Sequence, residues 1–510
     1  MLPALSLVTM TYIAHVRRGD CNCGHLWTVW IEWTNRAESQ ASERCESRAA
    51  RSIQVRILIL NGSPAGEDSI TLQTIEYLKI LFPDHEYETL HVGRRIRAIE
   101  RDFSESHRAL EAAELIVFCY PVYTFLVPAQ LHRFIELIDE NGVDLRGKLA
   151  TQLSTSKHFY DVTAHRFIED ACADLGLSYI RGLSADMEDL LNEKGQAEAR
   201  SFFEFVLWSI ERGYSDGAPQ VRQEHAPVRI ASSVDPVPHE DGRRVALVTD
   251  LDPISPNQGL SAMIDRFRSR IPWDVDIVNL REFDFAGGCL GCFKCASSGK
   301  CFYPDGFDDF LRTRINSADA VVYAYTVDRH SMGYRFKLYD DRQFCNGHRT
   351  VTMGKPVGYL VDGDLAHEEN LRMLMESRAQ VGGNYLAGIA CDANDPDAGV
   401  DRLADTLEFA VRNCYNQPRN FYGVGGLKIF RDLIYQMQGL MKADHRFYKQ
   451  NGFYDFPQKR RGTIIGMYFV SALMGSKTLA KKSKITMTEG MLMSYRKVLE
   501  QARAKGAEKR

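Results

Sequence analysis

An internal repeat narrows the possible folds more than any other feature of this chain. Ala113-Glu-Leu-Ile-Val-Phe-Cys-Tyr-Pro-Val-Tyr123 aligns without gaps on Ala318-Asp-Ala-Val-Val-Tyr-Ala-Tyr-Thr-Val-Asp328, and Arg56-Ile-Leu-Ile-Leu-Asn-Gly-Ser-Pro64 aligns on Arg244-Val-Ala-Leu-Val-Thr-Asp-Leu-Asp252. Each run is apolar without alternation and ends in a polar loop. Such runs mark strands buried on both faces, the situation in a parallel sheet covered by helices. Helical patterns separate the runs, so each copy reads as a doubly wound α/β unit whose ligands sit beyond the carboxyl ends of the strands. A chain of 510 residues exceeds what one core normally organises, in agreement with two copies in tandem.

Around the copies the chain divides as follows. Residues 1–52 show no sustained period and end in the polar run Asn35–Arg44, so they read as a poorly structured extension. The apolar start, Met1–Ile13, has no basic residues ahead of it and no small-residue cleavage site, so it is not read as a secretory signal. Cys21 and Cys23 alone are too weak a pair to predict a metal site. Residues 53–213 form the first copy, in which a helix carrying His158 and His165 follows the third ligand-edge loop and a strand is expected near 177–183. Residues 214–242 read as a linker, with Pro219, Pro227, Pro236 and Pro238 scattered among charges. Residues 243–420 are the second copy, and 421–510 a helical extension expected to cap it. Within that extension Ile464–Gly475 is apolar but too short to cross a bilayer. It is expected as a buried helix or strand, with a membrane-surface helix as the alternative.

The formal net charge of −4 lacks the basic footprint that nucleic-acid binding requires. Twelve cysteines, several inside apolar strands, fit a reducing compartment better than a secreted disulfide framework, and the cytoplasm is the expected location.

Two loops carry chemistry. In the first copy, strand 55–60 runs into Asn61-Gly-Ser-Pro-Ala-Gly-Glu-Asp-Ser-Ile-Thr71 and then a helix. A loop of glycines and hydroxyls opening a helix collects backbone amides and the positive end of the helix dipole, which suits a phosphate. With neither a Walker lysine nor G-x-G-x-x-G, the hydroxyls of Ser63, Ser69 and Thr71 would do the work, as for a monoester held without metal. The other loops at this edge are Pro121–Thr124 and Ser154–Lys157. In the second copy Asp250 and Asp252 replace the glycine and proline of the first loop, and two carboxylates there would repel a dianion.

The second copy instead carries Gly287-Gly-Cys-Leu-Gly-Cys-Phe-Lys-Cys-Ala-Ser-Ser-Gly-Lys-Cys301. Cys289, Cys292, Cys295 and Cys301 follow one another so tightly that at most one pair of the C-x2-C-x2-C turn could close as a disulfide, yet all can face one object. An iron–sulfur cluster suits that geometry; structural zinc, whose ligands usually fall in two separated knuckles, and a metal-free redox thiol loop are the alternatives.

Taken together, these residues resemble the flavodoxin-like NADPH-dependent FMN reductase and iron–sulfur flavoprotein superfamily. The likeness rests on Asn61–Pro64 with Ser69 and Thr71, on Tyr120–Tyr123, on the cysteine run followed by Asp305, and on Ser331-Met-Gly-Tyr-Arg-Phe-Lys-Leu-Tyr-Asp-Asp-Arg342. The resemblance implies two flavodoxin-like sheets in tandem. It implies an FMN phosphate on Ser63, Ser69 and Thr71, the flavin ring along Pro121, Val122 and Tyr123, and Ser154 and Thr155 at the third loop. It further implies a [4Fe–4S] cluster on the four cysteines and NAD(P)H as donor. The chain is therefore expected to be an FMN-dependent oxidoreductase passing electrons between a flavin on the first copy and a cluster on the second. Its partners would be a small-molecule donor and acceptor or a ferredoxin-like carrier, with homodimerisation possible and no membrane span. The alternatives are an NAD(P)H-dependent FMN or quinone reductase without a cluster, and a non-catalytic flavin or thiol redox sensor. No side chain reads as a catalytic acid, base or nucleophile.

Overall fold

The computed structural model describes residues 54–217, 229–393 and 395–475. In the first half the strands are β1 (Arg56–Asn61), β2 (Glu86–Leu90), β3 (Leu115–Pro121), β4 (Leu149–Ser156), β5 (Ser178–Tyr179) and β6 (Leu183–Asp186). In the second they are β7 (Arg244–Thr249), β8 (Asp274–Asn279), β9 (Ala320–Thr326), β10 (Pro356–Asp362) and β11 (Tyr385–Cys391). The first sheet is ordered β2-β1-β3-β4-β5, with β6 also on β4. The second, read in the same direction, is β8-β7-β9-β10-β11. All pairings are parallel, and the register repeats: Leu60 opposes Phe118 as Val248 opposes Tyr323. These are the positions the gap-free alignment equates, so the duplication holds residue by residue.

The central strands are apolar for the reason the sequence suggested, since β1 and β3 are buried along nearly their whole length. Two local expectations need correction. The single strand expected near 177–183 is two short strands, because at Gly182 the chain passes so close to β4 that an added Cβ would lie 2.3 Å from the Gln152 carbonyl. His158 is not on a helix. It sits ahead of helix Asp161–Asp174 in a left-handed conformation (φ 52°), with Nδ1 2.9 Å from Asp161 Oδ2, while His165 is on the helix.

The two units meet through equivalent elements. Helix Ala129–Glu140, which follows β3, packs on Gly333–Arg342, which follows β9; helix Asp161–Asp174, after β4, packs on Glu369–Gly382, after β10. This is a pseudo-twofold interface inside one chain, and a single apolar core runs through it, joining Leu131 and Phe134 to Phe336 and Tyr339. Polar contacts cross it as well: the Tyr334 amide donates to Glu136 Oε1 (2.7 Å), and His330 of the second unit stands 3.3 Å from Asp174 of the first.

The described part of the linker, residues 229–242, lies along the second unit, where Ala231 joins its core and the Val237 amide donates to Ser269 O (2.9 Å). The C-terminal helices Phe421–Gln436 and Lys442–Gln450 cap more than the second unit alone. Phe430 packs on Phe159 of the first unit (ring centroids 4.1 Å apart), and the Tyr160 hydroxyl donates to Tyr422 O (2.7 Å). A last helix, Arg461–Gly475, carries the apolar segment expected to be buried. Its described side chains are exposed instead, as taken up below. Residues 1–52 and the tail beyond 475, with Cys21 and Cys23, lie outside the described residues.

Candidate cofactor site

Asn61 at the end of β1 shapes the first loop. Its Nδ2 donates to Gly66 O (2.8 Å) and its Oδ1 accepts from the Ser63 amide (3.1 Å), a side chain standing in for a backbone turn. Gly93 packs against the loop from behind; a Cβ there would lie 2.3 Å from Gly62 O. Ser69 then caps helix Ile70–Leu81, its oxygen accepting from the Leu72 amide. The first-turn amides of Ile70 and Thr71 have no partner among the described residues. Ser63, Ser69 and Thr71 are each nearly fully buried and line one cavity of about 590 Å³. Buried hydroxyls and unbonded amides at a helix N-terminus are the donor set a phosphate monoester needs.

The second wall is the turn after β3. Tyr123 and Leu126 exchange backbone hydrogen bonds (2.8 and 3.0 Å) across Thr124 and Phe125, both with positive φ (41° and 71°). The second unit repeats the turn at Asp328 and Ser331, through Arg329 and His330. In the first unit, Lys337 and Asp341 from across the pseudo-twofold hold this turn. Lys337 Nζ donates to Tyr123 O (2.9 Å) and Thr124 Oγ1 (2.8 Å) and pairs with Asp341, which also accepts from Thr124 and from the Ala129 amide (2.8 Å). Both charged side chains are fully buried.

The third wall comes from β4. Thr155 lines the cavity and its hydroxyl stands 2.5 Å from that of Thr71. Ser154, one residue earlier, points to the other face of the strand as alternation requires; its hydroxyl pairs with His165 Nε2 (2.8 Å), and burial pushes that imidazole down to about 4. Ser156 lines the cavity in its place, and Lys157 beside it is ion-paired with Asp186 (2.8 Å). Thus Ser63, Ser69, Thr71, Pro121, Val122, Tyr123 and Thr155 share one space and Ser154 does not.

The same cavity is closed by the cysteine loop: Cys289, Cys292, Cys295 and Cys301 all line it. Gly291, with φ +63°, lies directly against Tyr123, and a Cβ there would fall 1.9 Å from the tyrosine hydroxyl. Only glycine fits, for both reasons. The Gly291 amide points at Cys289 Sγ (3.5 Å). Arg342 anchors the base of the loop: its guanidinium, fully buried, takes Asp305 with two bonds of 2.8 Å and donates to Gly287 O (2.9 Å). Asp340, by contrast, pairs with Arg378. The charged end of the 331–342 motif is therefore structural. Burial holds the Cys289 thiol protonated and pushes Cys295 up to about 12. Burial also raises the Tyr123 hydroxyl, with the Asp341 carboxylate acting in the same direction. Among the described residues no three His, Cys, Asp or Glu side chains converge on a point that a single ion could occupy.

Several lining residues escaped the sequence reading. Cys345 and His348 lie between β9 and β10, and Phe430 and Leu433 come from the C-terminal cap. The cap is pinned by Asp444, buried against Gly347, whose oxygens accept from the His348 amide (3.1 Å) and lie 3.3 Å from Arg349 Nε. No periodic signal marks such contacts, because they depend on which helix lands over the cavity.

In the equivalent loop of the second unit, Asp252 Oδ1 accepts the amides of Ile254 (2.8 Å) and Ser255 (3.4 Å), so the loop's own carboxylate takes up two of its backbone donors. Burial pushes Asp250 up to about 6.

Residues 55–173 match the flavodoxin-like fold family. An iron–sulfur flavoprotein of Archaeoglobus fulgidus is 26% identical over 174 residues, which cover 32% of this chain and 79% of that protein. The first unit is thus similar, in fold family and in sequence, to flavodoxin-like proteins. Solved flavodoxin-like structures similar to it include an NADH:FMN oxidoreductase in its apo form (17% identity, 31% of this chain and 90% of that one, TM-score 0.27). Others are an FMN-dependent NADH-azoreductase from Bacillus anthracis (13%, 31% and 99%, TM-score 0.25) and an NAD(P)H:quinone oxidoreductase from Methanothermobacter marburgensis (14%, 34% and 100%, TM-score 0.26). The loop of glycines and hydroxyls after β1 occurs once in this chain, and the cysteine run once, in the other unit.

Proposed function

We propose that this chain is an FMN-dependent oxidoreductase whose first unit holds the flavin and whose second unit holds a [4Fe–4S] cluster beside it, with NAD(P)H as donor. One observation carries the reading: the phosphate loop and the four-cysteine loop, from different units, line a single cavity, and the cysteine loop meets the turn after β3 where Gly291 packs on Tyr123. The residues fit both groups. Ser63, Ser69, Thr71 and the amides of Ile70 and Thr71 would hold the FMN phosphate, and Pro121, Val122, Tyr123, Thr155 and Ser156 would border the ring. Cys289, Cys292, Cys295 and Cys301 would each take one iron, and a four-iron cluster asks for thiolates set apart around a shared space rather than converging on one ion. Together the bound groups would let a two-electron nicotinamide donor feed a one-electron acceptor, such as a ferredoxin-like carrier. The chain's own part is to fix the Tyr123 turn through Lys337 and Asp341, to bring the cysteine loop against it through Arg342 and Asp305, and to keep water out with Phe430 and Leu433. The composition fits a reducing cytoplasmic setting.

Anaerobic reconstitution followed by flavin, iron and sulfide analysis and an absorption spectrum tests this. About one FMN with about four irons and four sulfides per chain is expected. Flavin without iron or sulfide removes the cluster half and leaves a simple NAD(P)H-dependent flavin or quinone reductase; absence of flavin refutes the reading outright.

A further inference from the structure

Helix Arg461–Gly475 projects from the cap with little covering it. Ile464, Ile465, Met467, Tyr468 and Phe469 are 44%, 68%, 60%, 75% and 65% exposed. At 100° per residue these five fall in one arc of about 200°, wider than the stripe a helix usually turns toward a core. A contiguous apolar surface of this kind marks an interaction site. Its flanks say what it meets. Lys459, Arg460 and Arg461 precede it, all exposed, and the two arginines make no ion pair among the described residues. In sequence, Lys477, Lys481, Lys482 and Lys484 follow it. Fifteen helical residues rise about 22 Å, short of the roughly 30 Å hydrocarbon core, and no described helix is long and apolar enough to cross a membrane. An apolar helix with cations at both ends and aromatic rings in between suits the boundary between headgroups and acyl chains of an anionic bilayer.

We infer that helix Arg461–Gly475 docks this protein on an anionic lipid surface, its apolar residues entering the headgroup boundary and its flanking cations lying on the lipid phosphates. This goes beyond the proposed electron transfer and does not depend on it. In the chain the helix follows the cap whose Phe430 and Leu433 line the cavity.

Co-sedimentation of the full chain with phosphatidylcholine vesicles, with and without phosphatidylglycerol, tests the inference. Binding to the phosphatidylglycerol vesicles is expected, falling about tenfold or more in the triple variant Ile465→Asn, Met467→Asn, Phe469→Asn and by a similar factor in Arg460→Glu, Arg461→Glu. All these side chains are exposed, so the variants keep the wild-type melting curve. Wild-type protein that stays in the supernatant with both vesicles overturns the inference. So does equal binding by wild type and triple variant. So does a dimer in light scattering that the triple variant converts to monomer while no vesicle is bound, since the apolar surface then belongs to a second copy.

Discussion

The buried Lys337–Asp341 pair joins the two units at the turn on which the cysteine loop packs, and its removal has a calculable effect. All three donors of Lys337 are taken, by Tyr123 O, Thr124 Oγ1 and Asp341. Lys337→Met keeps the aliphatic stem and leaves Asp341 without its counter-charge in a fully buried place. Breaking a buried pair from one side costs about 3–5 kcal/mol. Asp341 would retain the Thr124 hydroxyl and the Ala129 amide, which places the loss near the lower end, about 3 kcal/mol. With a urea m-value of about 2 kcal/mol/M the unfolding midpoint falls by about 1.5 M. Urea titration followed by near-ultraviolet circular dichroism measures this. The double variant Lys337→Met, Asp341→Leu should recover at least half of the loss, because an apolar pair of similar volume leaves no orphaned charge. A single variant whose midpoint stays within about 0.2 M of wild type, or a double variant that loses more than the single, would refute the argument that this pair locks the turn.

Three further outcomes follow from the structure. Gly291→Ala drives a methyl into the Tyr123 hydroxyl at a positive φ, and should strip bound iron and weaken flavin retention together. Gly306→Ala, with φ +78° but open space around it, pays only the backbone cost of about 1 kcal/mol; equal effects of the two would remove the steric argument. Burial, aided by a hydrogen bond with Asp362, lifts Asp392 from 3.8 to about 7. The folded state therefore holds a proton that the unfolded chain releases near pH 4. Stability should fall as pH rises from about 4 through about 7, and Asp392→Asn, which can still accept from the Gly363 amide and donate to Asp362, should flatten that slope in thermal melts taken across the range. Hydrogen bonds to Asp174 and Glu368 raise His330 to about 10, so its contribution across the unit interface is complete below pH 6.5 and lost as pH climbs toward 10. His330→Gln should lower the melting temperature at pH 6 more than at pH 10, and an equal loss at both would mean the imidazole is neutral throughout.

Much of the architecture could be read in advance because it rests on local patterning. The unbroken apolar runs fixed both sheets, and the gap-free alignment reproduced even the pairing register of Leu60 and Val248. The three loops of the ligand edge were placed by the same logic. What sequence reading lacked was direction within a strand: Ser154 and Thr155 look equally suitable until β4 is paired, when alternation sends one to His165 and the other to the cavity. It also lacked long-range placement. Helix Val92–Ile99 behind the first loop, Cys345, His348 and the cap residues Phe430 and Asp444 reach the site through contacts far apart in the chain, for which spacing holds no signal. The burial expected for Ile464–Gly475 failed for a related reason. An apolar run reads the same whether a core or another surface covers it.

The loop of the second unit, closed by its own Asp252, changes how the two halves of the chain respond to their surroundings. A loop that supplies its own anion folds to the same extent whatever is dissolved around it. The first loop offers buried hydroxyls and the open amides of Ile70 and Thr71, so any phosphate it binds adds stability that grows with the logarithm of ligand concentration. A ligand titration followed by hydrogen exchange would then protect the amides of the first loop and leave those of its counterpart, Asp250–Ser255, unmoved. The duplicated fold thus becomes its own internal reference.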